Sequence, residues 1–190
     1  MQNLSKRISK YASRVSEGTP VSAKQLLHLG SRAAVDQALS RLARRGKLMR
    51  VSRGIYVRPV RSRFGLRAPS PEKVVRKIAA SRGEAIARHG AAAANALGLT
   101  TQVPTRMVYL TSGPSRHLKL GAQVVELKHA PSWQFALPEH TGDVVRSLAW
   151  LGPDQASTTL SELSPSERKG LGANRQRLPG WLATAVSQTL

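Results

Sequence analysis

The stretch SRAAVDQALSRLARRGK, from Ser31 to Lys47, places groups that recognise nucleic acid at helical spacing. Val35, Leu39 and Leu42 recur at the period of a helix and predict its buried stripe. The other positions point outward, where arginine can pair with guanine, glutamine with adenine and alanine with the thymine methyl group. The first two turns suit base edges and the later cations suit phosphates. The residues of this segment predicted to contact DNA are Ser31, Arg32, Ala33, Asp36, Gln37, Ser40, Arg41, Arg44, Arg45 and Lys47.

The elements around this helix predict how it is positioned. An amphipathic helix is expected in NLSKRISKYASRV, and Ser22 with Gln25 predicts a capping box for a short second helix ending at Gly30. After Gly46 the segments KLMRVS and GIYVRP predict two short strands. The order of three helices and a hairpin is typical of a winged helix-turn-helix domain. Three arginines of the hairpin are predicted to reach the DNA backbone or minor groove: Arg50, Arg53 and Arg58.

The rest of the chain predicts a second, α+β domain. VRSRFGLRAPSP is interpreted as a link in which glycine and prolines interrupt any regular element, so we expect domains 1–66 and 67–190. Beyond it, Ser70 and Pro71 open a helix, and an alanine-rich helix ends at Gly98. Three short segments between residues 105 and 130 predict a small antiparallel sheet, and helices follow to the end. Trp150 follows an apolar stripe and is predicted to be buried. The expected fold class is therefore α+β.

The chain is strongly basic, and the excess charge is concentrated near its start. Its 30 lysine and arginine residues against 10 aspartate and glutamate residues give a net charge of +20. Residues 1–67 hold 16 basic and 2 acidic side chains, a net charge of +14, whereas residues 68–190 carry +6. Such an excess favours a polyanionic partner, because each neutralised phosphate releases condensed counterions. Double-stranded DNA is the expected partner of the first domain.

Other partners and locations are disfavoured by what the sequence lacks. Modules that recognise RNA expose stacking aromatic side chains, and the first domain offers only Tyr11 and Tyr56, with Phe64 just beyond. DNA is therefore favoured over RNA. The chain has no cysteine, no signal-peptide pattern and no run of about 18 apolar residues. We expect a cytoplasmic protein without a membrane partner.

No motif of the second domain indicates catalysis. No two of its histidines have the spacing of metal ligands on a helix, and its glycine-containing segments lack the features of a phosphate-binding loop. His89, beside Gly90, is interpreted as a capping or packing residue. We expect no enzyme, no cofactor and no metal, and the titratable residues considered for an enzymatic alternative are His89, His117, His129, His140, Glu84, Glu126, Glu139 and Asp143.

Three segments carry a resemblance to a known family. They are EGTPVSAKQLLHLGSRAAVDQALSRLARRGKLMRVSRGIYVRP, HGAAAANALGLTTQVPTRMVYLTSGPSR and VVELKHAP. Together they resemble small bacterial proteins grouped with the AbiEi antitoxins of type IV toxin–antitoxin systems, from about residue 2 to about residue 150. RGIYVRP and HGAAAANALGL are the most telling pieces, and neither is a catalytic signature.

The resemblance implies a function for each domain. The first domain would be a winged helix that binds inverted repeats in its own promoter, and two copies are expected to meet on such a site. The second domain would support an antitoxin function against a nucleotidyltransferase-like toxin, without a stable complex between them. The main hypothesis is a sequence-specific repressor that is also an autoregulating antitoxin. The alternative is a stand-alone regulator of a mobile element that has no toxin, with a second domain that serves protein interaction.

Overall fold

The computed structural model describes residues 3–189, which form a mixed α+β protein with small antiparallel sheets. Its contacts divide the chain into two compact units. The first unit contains residues 3–84 and Arg116–Glu126, and the second contains Ala85–Ser115 and residues 127–189. The boundary expected near residue 66 therefore lies inside the first unit, which extends through the next helix to Glu84 and then takes in a later strand.

Three helical segments open the first unit. They are α1 (Leu4–Arg14), a 3-10 helix (Ala23–Leu29) and α2 (Arg32–Arg44). The capping signals of the sequence are confirmed, because the Ser22 N–H donates to Gln25 Oε1 at 3.0 Å and the Ala34 N–H donates to Ser31 Oγ at 3.4 Å. Gly46 ends α2 with a positive φ of 68°. The second helix differs from the expectation only in being a 3-10 helix rather than an α-helix.

A three-stranded antiparallel sheet packs with these helices. Its strands are β1 (Val21–Ser22), β2 (Met49–Ser52) and β3 (Ile55–Val57), in the order β1-β3-β2. The two-residue β1, which the sequence did not predict, pairs with β3 through Val21↔Tyr56. The core beneath contains the predicted stripe of α2 and consists of Ile8, Ala12, Val21, Ala23, Leu26, Val35, Ala38, Leu39, Leu42, Leu48 and Tyr56.

The segment interpreted as an irregular link is instead a hairpin, so that prediction is wrong. Its strands are β4 (Val60–Ser62) and β5 (Gly65–Arg67), which pair antiparallel. Gly65 takes a φ of 106°, which glycine adopts without strain. The glycine that was expected to interrupt regular structure therefore allows the tight turn of this hairpin.

Helix α3 (Pro71–Arg82) packs on the loop that follows α1, which explains why it belongs to the first unit. The Glu17 carboxylate accepts hydrogen bonds from Lys73 Nζ at 2.5 Å and from the Ser70 N–H at 2.9 Å. Gly18, with a φ of 79°, lies against the backbone of α3, where an added Cβ would be 2.9 Å from the Lys73 carbonyl carbon. Contacts between residues more than 50 positions apart thus move the boundary beyond residue 66.

Replacing Glu17 with glutamine is expected to lower the free energy of unfolding at neutral pH. It should also make this free energy less dependent on pH in the acidic range. The hydrogen bonds from Lys73 and from the Ser70 N–H lower the pKa of Glu17 in the folded protein. The resulting stabilisation is full above the unfolded-state pKa and is lost as the pH falls through the lowered folded-state pKa. For a partly exposed pair we expect about 0.5–1 kcal/mol.

Thermal melts of wild type and Glu17→Gln between pH 7 and about pH 3 measure this effect. The two melting temperatures should converge as the pH falls. The matched control is Glu162→Gln on an exposed position of the second unit. A constant difference across the pH range would contradict the role of the Glu17 charge.

The second unit combines short strands with a helical core. Strand β6 (Ile86–Arg88), helix α4 (Gly90–Ala96) and strand β7 (Met107–Thr111) come first. Strand β6, which the sequence did not predict, pairs antiparallel with β7. Strands β8 (Arg116–Leu120) and β9 (Gln123–His129) follow, and the sheet order is β6-β7-β9-β8. Strand β8 and the start of β9, as far as Glu126, belong to the first unit, where β8 lies against β2.

Helices α5 (Glu139–Leu151), α6 (Pro153–Glu162), α7 (Pro165–Ala173) and α8 (Gly180–Thr189) complete the second unit, together with 3-10 turns at Ser132–Phe135 and Arg175–Arg177. The second capping box predicted from the sequence is confirmed, since the Ser164 N–H donates to Glu167 Oε2 at 2.8 Å. The hydrogen bond from the Ser164 hydroxyl group lowers the pKa of Glu167. The four helices share a core of Leu137, Val144, Val145, Leu148, Ala156, Leu160, Leu163, Leu171, Leu178, Leu182 and Val186.

The prediction that Trp150 is buried is wrong, because its side chain is 39% exposed. Helix α4 crosses α5 at this point, and the Cβ of Trp150 would lie only 2.5 Å from a Cβ added at Gly90. The backbone of α4 therefore occupies the space beside the base of the tryptophan. The ring lines a small cavity with His129 and Arg146 instead of entering the core.

Candidate nucleic-acid interface

The outer face of α2 holds most of the residues predicted to contact DNA. Its buried positions, Val35, Ala38, Leu39 and Leu42, lie on the opposite side of the helix. Ser31 is the N-cap, and its hydroxyl oxygen already accepts the Ala34 N–H. The helical period brings the exposed residues together on one surface, since positions three and four apart are neighbours. The exposed residues of α2 on this surface are Arg32, Ala33, Gln37, Arg41 and Arg44.

An ion pair orders the first turn of this face. Arg32 Nε donates to Asp36 Oδ2 at 2.9 Å, and the two side chains are 65% and 46% exposed. An exposed pair of this kind adds little to stability. The hydrogen bond uses Nε, one of the five guanidinium N–H donors of Arg32.

Ser40 differs from its neighbours because it is only partly exposed. Its hydroxyl oxygen lies 3.4 Å from the hydroxyl oxygen of Tyr56, a buried residue of β3. The contact joins α2 to the sheet. The Ser40 side chain is therefore only partly accessible on the outer face of α2.

Five further predicted cations extend beyond α2. Arg45 and Lys47 follow the helix, Arg50 lies on β2, Arg53 lies in the turn before β3, and Arg58 comes directly after β3. All five are exposed. Within residues 3–189 none of them forms an ion pair with a carboxylate. Their charges are therefore available to an external anion.

The β4–β5 hairpin adds basic residues that the sequence analysis did not select. Its exposed side chains are Arg61, Arg63, Phe64, Leu66 and Arg67. The available signal was the alternation of VRSRFGLR around a glycine, which is a weak hairpin pattern. Because this segment is predicted from the sequence to be an irregular link, none of these side chains is predicted to contact DNA.

The two units differ sharply in charge. The first unit holds 22 of the 30 basic side chains and 5 of the 10 acidic ones, which gives a net charge of +17, while the second unit carries +3. The division seen in the structure thus separates the charge more completely than the division expected from the sequence. The positive charge of the protein is thus carried mostly by the first unit.

Two of the four histidines considered for catalysis, His89 and His129, have clear structural contacts. His89 Nδ1 accepts the Ala91 N–H at 3.3 Å, so this residue caps α4 as predicted. His129 Nδ1 lies 2.9 Å from the Gly113 carbonyl oxygen, which fixes the ring at the end of β9. Among residues 3–189, no three histidine, aspartate or glutamate side chains come together in a way that would hold a metal ion.

Two of the candidate carboxylates pair with arginines. Asp143 Oδ1 accepts from Arg146 at 2.7 Å and Asp143 Oδ2 from Arg88 at 2.9 Å, on the buried side of α5. Glu84 pairs with Arg116 within the first unit. These carboxylates thus compensate arginine charges. In the part of the chain that the structure describes, no helix has the length and apolar character needed to cross a membrane.

The fold and this surface define an α+β protein whose charge is concentrated on one unit. Residues 7–162 match the family of unknown function DUF6088, and the chain belongs to this family. The match begins within α1 and ends with the last residue of α6, so it covers the outer face of α2 and both hairpins of the first unit. No curated protein matches the chain, and no solved structure matches it either.

Proposed function

We propose that this protein is a sequence-specific transcriptional repressor that binds double-stranded DNA through a winged helix-turn-helix in its first unit. The order α1, 3-10 helix, α2, β2, β3 supports this architecture, and so does the β1-β3-β2 sheet. In such domains the third helix lies in the major groove and the hairpin lies beside it. Here α2 is the third helix, and the turn containing Arg53 is the tip of the wing.

The exposed face of α2 is the observation that carries the proposal. Arg32, paired with Asp36 through Nε, can offer its terminal nitrogens to a guanine, and Gln37, five residues later, can pair with an adenine. Arg41 and Arg44 follow on the same face and suit phosphates. A helix surface that serves only for contact with water usually carries both acidic and basic side chains. The outer surface of α2 carries several arginines and a single carboxylate, Asp36, which favours a negatively charged partner.

The experiment that tests the proposal compares two labelled duplexes by fluorescence anisotropy. One is taken from upstream of the gene for this protein, and the other has the same composition in scrambled order. We expect preference for the native duplex to persist between about 50 and about 200 mM salt, although both affinities fall as counterions become abundant. Repression of a reporter behind the same DNA should accompany binding. Equal affinities for the two duplexes at both salt concentrations would contradict the proposal.

Gln37→Ala is expected to relax recognition at one base pair. The loss of a bidentate pair with adenine costs about 1–3 kcal/mol at that position and leaves the others unchanged. Affinities for duplexes substituted at each position measure this effect. The matched control is Gln176→Ala, because Gln176 is an exposed glutamine of the second unit. A preference identical to that of wild type at every position would reject the role of Gln37.

The antitoxin role stays a prediction that rests on the resemblance to AbiEi antitoxins. It requires a neighbouring nucleotidyltransferase gene whose growth inhibition is relieved by co-expression of this chain. The repressor proposal does not depend on it, because the outer face of α2 supports DNA binding with or without a toxin. Pairing of two copies on an inverted repeat is likewise a prediction, which the stoichiometry of the DNA complex measures.

A further inference from the structure

The β4–β5 hairpin has a well-defined tip formed by Arg63 and Phe64. The strands pair in the register Val60↔Arg67, Arg61↔Leu66 and Ser62↔Gly65. Ser62 Oγ accepts the Phe64 N–H at 3.2 Å and donates to the Gly65 carbonyl oxygen at 2.9 Å. These bonds within the turn hold its two residues in place. The tip is therefore shaped before any partner arrives, which reduces the entropy lost on binding.

The hairpin exposes apolar side chains that the core does not use. Phe64 is 85% exposed and Leu66 is 63% exposed, and every residue of β5 is exposed. An aromatic residue at the tip of such an element contributes nothing visible to the fold of the first unit. Its exposure indicates contact with a partner.

Charge identifies the kind of partner. Four arginines lie between residues 58 and 67, and no acidic residue accompanies them. The guanidinium carbon of Arg63 lies 4.6 Å from the centre of the Phe64 ring, so cation and aromatic ring occupy the same tip. An acidic protein surface would satisfy the arginines but not a projecting phenyl ring. Nucleic acid satisfies both, because phosphates surround base pairs whose faces accept an apolar side chain.

We propose that the β4–β5 hairpin is a second DNA-contacting element, in which Phe64 enters the minor groove and wedges between adjacent base pairs. Arg61, Arg63 and Arg67 bind the flanking phosphates. The minor groove is about 6 Å wide, so a narrow hairpin tip of two residues suits it. This inference rests on the proposed function, since it assigns a second contact to the same DNA. Apolar wedges of this kind unstack one base step and bend the duplex.

The test uses the full chain and the duplex from upstream of its own gene, in which 2-aminopurine replaces adenine at successive positions. Wild type should raise the 2-aminopurine fluorescence at one step, and energy transfer between dyes at the duplex ends should report a bend. Phe64→Ala should abolish both signals and weaken binding about tenfold, the loss typical of one base–aromatic contact. Phe64→Leu should keep part of the bend, because leucine also serves as a wedge.

Two controls separate this effect from general damage. Val103→Ala truncates another exposed apolar side chain, 75% exposed in the second unit, and should change neither signal. Because Phe64 is exposed, its variants should melt at the wild-type temperature. Wild-type bending that persists in Phe64→Ala would overturn the inference and leave the proposed function standing. Absence of specific binding by wild type would overturn the proposed function and this inference with it.

A lipid surface is the competing partner for exposed aromatic and arginine side chains. Vesicles of phosphatidylcholine with phosphatidylglycerol supply that surface without nucleic acid. Vesicle binding that is lost in Phe64→Ala, together with unchanged DNA bending, would overturn the assignment to the minor groove. The assignment to the minor groove would be supported if Phe64→Ala abolishes DNA bending while vesicle binding is weak and equal in wild type and variant.

Discussion

Gly90→Ala is expected to destabilise the second unit by about 1–3 kcal/mol or more, the cost of overpacking a closely packed contact. A Cβ at this position would lie 2.3 Å from the carbonyl oxygen of Arg146 and 2.5 Å from the Cβ of Trp150. Both atoms belong to helix α5 and neither is the end of a flexible side chain. The methyl group can therefore be accommodated only if α4 moves away from α5, which opens the contact between the two helices.

Thermal unfolding of Gly90→Ala and of a matched variant measures the effect. Gly180 also occupies the first position of a helix, α8, and a Cβ there would meet no atom within 4 Å. Gly180→Ala should keep or slightly raise the melting temperature, because alanine restricts the unfolded chain. For a chain of this length a loss of 1–3 kcal/mol lowers the melting temperature by roughly 2–12 °C. Equal melting temperatures for the two variants would contradict the close approach of α4 and α5.

The double variant Arg41→Ala and Arg44→Ala is expected to weaken binding to every DNA sequence and to reduce its dependence on salt. The slope of log affinity against log salt changes by about 0.9 for each phosphate contact, so two lost contacts remove about 1.8. Between 50 and 200 mM salt the fall in affinity would then be about 12-fold smaller than for wild type. Base preference should stay the same, since phosphates carry no sequence information.

Removal of the same charge from the second unit is the control for this experiment. Lys169 and Arg175 are exposed there, and Lys169→Ala with Arg175→Ala should leave the slope close to the wild-type value. Equal slopes for the α2 double variant and wild type would exclude both arginines from the interface. An altered base preference in the α2 variant would instead indicate that these arginines contact base edges rather than phosphates.

The sequence allowed prediction of the elements whose signals are local. The cap at Ser31, the stripe from Val35 to Leu42 and the stop at Gly46 all lie within one helix, and α2 follows them closely. The capping boxes at Ser22 and Ser164 are equally local and are also confirmed. The exposure of the cations on α2 followed from the same periodicity, because residues off the buried stripe point outward.

Features that depend on distant contacts were not predicted. Strand β1 has two residues and forms only because Val21 meets Tyr56 of β3. The placement of α3 in the first unit depends on Glu17 and Lys73, which no pattern of the sequence connects. The exposure of Trp150 depends on the passage of α4 beside it. Periodicity indicates which side of an element is apolar but does not indicate which neighbour covers it.

The first unit is built from two separated parts of the chain, because β8 lies against β2 from a position 64 or more residues later. The ribosome must therefore add the 42 residues from 85 to 126 before this unit has all its strands, which takes roughly 2–8 s at ordinary rates of synthesis. During that interval β2 lacks the strand that packs against it. The first unit thus begins first in the chain and is completed before the second unit, but only once residue 126 has been added. A truncation after residue 66 would leave it without both α3 and β8.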